Sequence, residues 1–115
     1  MPHHDPLVRI LHMRDFARQA VRLAEGKTLE DVEADEVLCL ALTHLVELVG
    51  EAASKVPDEV QRKYAQIPWP KIVSMRNRLI RGYDYVDYNI LWTALTRNLP
   101  ELLDQLEQVL SREQR

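Results

Sequence analysis

The chain has three glycines, one cysteine and one phenylalanine in 115 residues, and each scarcity excludes something. With so little glycine and no sustained alternation of apolar and polar positions, a sheet-based fold has neither its turns nor its period, so the chain reads as all-α. A lone Cys39, set in an apolar run, rules out an intrachain disulfide and reads as a buried, inert thiol. No segment approaches the ~18 uncharged apolar residues of a membrane span, and Met1-Pro2-His3-His4-Asp5 lacks the apolar core of a signal peptide. The expectation is a cytoplasmic protein with no membrane association. His3 and His4 read as a terminal tail, and no other ligand cluster has structural-zinc spacing, so neither a metal nor a cofactor is expected.

Charge is scarce in one sense and concentrated in another. The net charge is -3, from 15 basic and 18 acidic residues, which argues against a surface that binds nucleic acid indiscriminately. Yet between Val60 and Tyr83 there are six basic residues, Arg62, Lys63, Lys71, Arg76, Arg78 and Arg81, and no acid. A phosphate-bearing partner would have to be met there, on a local patch. The length suits one domain over residues 1–115, large enough for a modest core and small enough to profit from an oligomeric interface.

Start and stop signals predict about five long or short helices in an up-and-down bundle. Asp5 and Pro6 are placed to open a helix over about 6–25 that Gly26 closes. Thr28 and Asp31 form a weak capping box for a turn over about 28–33. The longest helix is expected over about 34–55, ending before Pro57, and its apolar positions cover roughly two-thirds of its circumference, more than a surface helix needs. It must be covered on more than one side. A short helix with Asp58 as cap is expected to about residue 65, followed by the rigid turn Ile67-Pro68-Trp69-Pro70. A fourth helix over about 70–81 closes at Gly82, residues 83–86 form a loop, and Asp87 caps a fifth helix running toward Leu110 with Pro100 kinking or dividing it.

On the fourth helix Arg76 falls near the middle of the apolar arc of Ile72, Val73, Met75, Leu79 and Ile80. A guanidinium does not shed its proton, so it needs a carboxylate, a phosphate or trapped water there. Glu47 and Glu51 of the long helix are the internal candidates; a structural ion pair and a phosphate contact are both open from the residues alone. His44, Glu47 and Glu51 form a polar strip that reads either as a solvated edge or as a polar cluster facing a site. Asn77 and Arg81, four apart, are expected on one helical face, with Tyr83 just past the helix end. Arg81 also has a plain role beside the helix dipole.

These residues carry a resemblance. Gly50-Glu51-Ala52-Ala53, Ile67-Pro68-Trp69, the run from Met75 to Ile80 through Tyr83, then Val86-Asp87 and Leu91-Trp92 occur in the order and spacing of the HepT-like branch of the HEPN ribonuclease superfamily. The similarity covers nearly the whole chain. The family motif is arginine, four residues, histidine, one residue, tyrosine, with asparagine after the arginine. Arg76, Asn77 and Tyr83 match it; Arg81 stands in the histidine's place.

The resemblance implies a five-helix homodimer, joined through the long helices, whose motif helices meet in a cleft that cleaves RNA, tRNA or mRNA, without metal. It implies the toxin of a type II/VII-like toxin–antitoxin pair, neutralised by a minimal nucleotidyltransferase that transfers AMP onto Tyr83. Histidine, with a pKa of about 6.5, exchanges protons near neutral pH. Arginine, whose guanidinium stays protonated, does not, although it holds phosphate. The expectation is a ribonuclease with its grip retained and its acid-base group lost, by an engineered or escape substitution ahead of natural degeneration. The different reading is a non-catalytic helical adaptor or substrate-binding partner of a nucleotidyltransferase, with Arg81 native.

Overall fold

The computed structural model describes residues 7–82 and 85–113, and these are helical apart from one short hairpin and the connecting turns. Helix α1 (Leu7–Ala24) buries Ile10, Met13, Ala17 and Ala20, which recur every three or four residues along one face. Gly26, at φ 75°, closes the turn that follows. The predicted opening by Asp5 and Pro6 lies outside the described residues.

Helix α2 (Leu29–Ala34) begins with a complete capping box: Thr28 Oγ1 accepts from the Asp31 amide at 3.1 Å, and Asp31 Oδ2 accepts from the Thr28 amide at 2.8 Å. Helix α3 (Glu36–Ser54) starts two residues later than the apolar pattern suggested, because Asp35 caps it by accepting from the Leu38 amide at 3.0 Å. This is the element around which the fold is built. α1 packs along one side of α3 and α5 along another, and the closing helix packs on α1. By length and composition α3 alone, among the described residues, would cross a membrane; it carries Glu47 and Glu51 and is 50% buried against its neighbours, which is the behaviour of a core helix.

Helix α4 (Asp58–Lys63) corrects a detail of capping. Pro57 is its N-cap and makes no side-chain cap bond, and Asp58 is already helical. The fixed φ of Pro57 sets the entry, leaving the Asp58 and Glu59 charges to favour the first turn through the dipole. Trp69 Nε1 donates to the carbonyls of Gln61 (3.1 Å) and Tyr64 (3.2 Å), which ties the proline-rich turn down before helix α5 (Trp69–Leu79) begins.

The end of α5 differs from expectation. The helix stops at Leu79, two residues early, because Ile80 and Arg81 are extended and pair as β1 (Ile80–Arg81) with β2 (Tyr85–Val86), Ile80 opposite Val86 and Arg81 opposite Tyr85. The Asp87 amide donates to the Leu79 carbonyl at 2.8 Å, satisfying a helix-end acceptor from across the hairpin. Gly82, at φ 66°, therefore serves the hairpin turn rather than a helix cap, and part of the predicted loop over 83–86 is a strand.

Helix α6 (Tyr88–Thr93) runs into one π turn (Ala94–Asn98) and then helix α7 (Leu99–Glu113). The Leu99 amide reaches back five residues to the Ala94 carbonyl, so the chain absorbs an extra residue just before Pro100, which has no amide to donate. Cys39 is buried as expected, 3.9 Å from both Thr43 Oγ1 and the Tyr88 hydroxyl.

Candidate functional site

The site begins with an absence of side chain. Gly50 lies inside α3, where glycine costs helix stability of roughly 1 kcal/mol relative to alanine. A Cβ there would fall 2.4 Å from Cβ of Arg76, 2.9 Å from its Cγ and 2.8 Å from its Cδ. Glycine thus makes a notch on α3 into which the aliphatic stem of Arg76 is laid, and α5 approaches α3 more closely than any side chain at position 50 would permit.

From that notch the guanidinium reaches the next residue of α3. Arg76 Nη2 lies 2.7 Å from Glu51 Oε2, a charge-assisted contact, while Glu51 Oε1 lies 3.5 Å from Lys55 Nζ. Arg76 is 36% exposed and Glu51 41%, so the head sits at the rim rather than in the core. Its stem packs and its charge stays near water, which resolves the difficulty of a cation on an apolar arc. Of the two internal candidates, Glu51 makes the pair; Glu47, half-buried on the same helix, makes no ion pair among the described residues. The guanidinium has five N–H donors, and one carboxylate contact leaves several for an anion.

Arg81 is held differently. It stands on β1, is 72% exposed, and places Nη2 3.2 Å from Asp87 Oδ2. Asp87 is only 15% exposed, and its other oxygen accepts from the amides of Asn89 and Ile90, both at 3.1 Å, capping α6. One carboxylate thus closes the hairpin, starts the next helix and tethers Arg81. Because α5 has ended by then, Asn77 and Arg81 are not neighbours on one helical face, and Arg81 does not sit on the helix dipole. Asn77 is exposed on α5 and its side chain makes no hydrogen bond among the described residues. Tyr83 lies outside the described residues. The other motif-flanking tyrosines divide: Tyr85 is exposed, whereas the hydroxyl of Tyr88 is turned inward, its pKa raised chiefly by the hydrogen bond with Cys39, so it remains neutral as a core anchor.

The arrangement presents guanidinium donors that suit an anion and offers little to move protons. A guanidinium is a hydrogen-bond donor and not a proton-transfer group. His44 is exposed on α3, seven residues and about 10.5 Å of helical rise before Glu51. No group of three metal-ligating side chains occurs among the described residues. Two contributors escaped the reading of the sequence: Gly50 as a notch, and Asp87 as the partner of Arg81. The first had a signal, since it is the one glycine placed inside a helical pattern. The second had none, because a hairpin of two-residue strands leaves no periodicity.

The family described as "Ribonuclease HepT-like" matches residues 13–109, which include α3, α5 and the hairpin. "Putative RNase TTE0752" of Caldanaerobacter subterraneus is 35% identical over 107 residues, spanning 93% of each chain. "Probable ribonuclease HepT" of Thermococcus cleftensis is 30% identical over 102 residues, spanning 85% of this chain and 92% of the relative. No solved structure matches the chain. With a family match over most of its length and a relative this similar end to end, the chain belongs to the HepT-like ribonuclease family, of the HEPN kind.

Proposed function

We propose that this chain is the toxin of a cytoplasmic toxin–antitoxin pair, a metal-independent endoribonuclease scaffold that works as a homodimer and is impaired because Arg81 replaces the proton-transfer residue. The observation that carries the reading is the fixed Arg76: a guanidinium anchored by Gly50 and Glu51, with donors to spare, five residues before an exposed side chain on the hairpin. In such a reaction the 2'-hydroxyl of RNA attacks the adjacent phosphorus, its proton passes to a base, and the 5'-oxygen leaves with a proton from an acid. Arg76 would stabilise the charge gathering on the phosphoryl oxygens. Arg81 cannot take either proton role at neutral pH.

A second copy of the chain suits α3. Val37 is 78% exposed and Leu40 59%, three residues apart and hence on one face, which continues to His44 one turn beyond Leu40 and to Glu51 two turns further. Covering that face would bring the Arg76–Glu51 pairs of two copies toward each other.

The cognate partner in this reading is a nucleotidyltransferase. The Tyr83 hydroxyl attacks the α-phosphorus of ATP, a P–O bond to tyrosine forms, pyrophosphate leaves and the phenolic proton goes to a base of the transferase. An adenylate two residues after Arg81 would occupy the anion site and exclude RNA. Mass spectrometry of chain incubated with transferase and ATP should show added AMP that disappears in Tyr83→Phe; undiminished labelling in that variant would refute the assignment.

The test of the catalytic reading is Arg81→His. A folded dimer that gains RNA cleavage and growth arrest supports it, and a folded dimer that remains inert sinks it. The second reading, a non-catalytic adaptor in which Arg81 is native, is favoured by the Arg81–Asp87 pair, which gives arginine a structural partner of its own.

A further inference from the structure

Helix α5 turns Arg76 toward α3, and with another face it lines a groove of about 480 Å³ shared with α6, the π turn and α7. Lys71, Ser74 and Arg78 recur at helical spacing on that face, and Arg97 of the π turn lies across from them. Lys71, Arg78 and Arg97 are all exposed and make no ion pair among the described residues. One carboxylate, Glu101, shares the lining, so the groove is cationic in a chain whose net charge is -3. Its floor is apolar, with Ile72, Met75 and Leu102.

The π turn belongs to this feature. The extra residue it inserts sets the phase of the helix so that Arg97 and Asn98 line the groove together with Glu101 of α7. Such insertions carry a cost in backbone geometry and occur frequently at functional sites. An opening of this volume accommodates a ligand the size of one or two nucleotides. Cationic rim, neutral hydrogen-bonding groups such as Ser74 and Asn89, and an apolar floor suit a sugar-phosphate backbone with its bases laid inward. No aromatic side chain lines the groove, so bases would not be gripped by stacking, and recognition would follow backbone charge rather than sequence.

We propose that this groove is a subsite for a single-stranded RNA segment flanking the phosphate held at Arg76, with Lys71, Arg78 and Arg97 as its phosphate contacts. The inference deepens the ribonuclease reading and depends on it for the role of the bound strand. Arg76 and Arg78 are two residues apart on α5, about 200° around an axis whose full diameter is about 10 Å, so a strand rounding the helix near its last turn touches both faces. The arginines also offset the negative end of the helix dipole, which would otherwise repel a phosphate.

Binding of a short, labelled, unstructured oligoribonucleotide, followed by fluorescence anisotropy over a range of salt, tests the subsite. Each of Lys71→Gln, Arg78→Gln and Arg97→Gln should weaken binding about fivefold near 0.1 M salt and flatten the slope of log affinity against log salt by about 0.7. Glu101→Gln should strengthen binding by a similar factor, a gain that partial unfolding cannot produce. In the Arg81→His background the three cation substitutions should raise KM rather than lower kcat. Unchanged affinity and salt slope in the triple variant, with helical circular dichroism retained, would overturn the subsite, as would tighter binding of duplex than of single-stranded RNA. If Arg81→His cleaves RNA with a KM indifferent to these substitutions, the groove is wrong and the ribonuclease reading stands. If the groove variants lose binding while no variant cleaves, the catalytic reading is wrong and the RNA subsite stands.

Discussion

Arg76 and Arg81 lie five residues apart in one motif and in opposite mechanical settings. The first is laid across a glycine notch between two long helices and ends on Glu51; the second stands on a two-residue strand, mostly in solvent, and is tethered from below by Asp87. Packing determines where Arg76 can be, because no side chain at position 50 could coexist with its stem. Little packing determines where Arg81 is, and its placement depends on a carboxylate that also caps α6. The difference suits a division of labour in which the anion grip is pre-set and the residue on the hairpin is free to meet substrate, or to be replaced, without disturbing the core.

The largest effect should come from the exposed side of this contrast. Arg81→His is expected to raise RNA cleavage by roughly 10²- to 10⁴-fold, about 2.7–5.4 kcal/mol in the barrier, measured as the single-turnover rate on a labelled RNA.

On the packed side, Gly50→Ala should destabilise the fold by about 1–3 kcal/mol through overpacking against the Arg76 stem, read from the urea midpoint at constant m. A variant as stable as the parent would mean that α5 can retreat from α3, and the contrast between a fixed and a free arginine would weaken. Asp87→Ala should cost about 1 kcal/mol, the worth of an N-cap, while Asp87→Asn keeps the cap and loses the charge facing Arg81. Arg81→Gln should be nearly neutral for stability, within about 0.5 kcal/mol, since an exposed ion pair contributes little. A larger loss by thermal melting would show that the hairpin depends on the arginine after all.

The helical architecture was legible because helix signals are local. The capping box at Thr28, the cap at Asp35 one residue beyond the expected start, and the proline-rich turn before Trp69 follow from residue types and spacings that act over three or four positions. Wide apolarity on α3 correctly announced cover on more than one side, by α1 and α5, while Val37 and Leu40 stay exposed. The end of α5 was misread because two-residue strands have no period, and their pairing draws on Tyr85 and Val86 and on an amide contributed by Asp87. Likewise Pro100 announced a break, but not that the preceding turn would widen into a π turn rather than bend.

By itself the sequence determined an all-α chain, a basic island in an acidic protein and the pairing need of Arg76. Those are matters of composition, of a 3.6-residue period and of the chemistry of single side chains. Which carboxylate meets Arg76, why Gly50 must lack a side chain, how Asp87 reaches Arg81, and that Lys71, Arg78 and Arg97 converge on one groove were decided by tertiary structure alone. The first two and the groove depend on the distance between helices separated in the chain, and the Asp87–Arg81 contact on how a short hairpin folds back; packing sets both through contacts that no local pattern encodes.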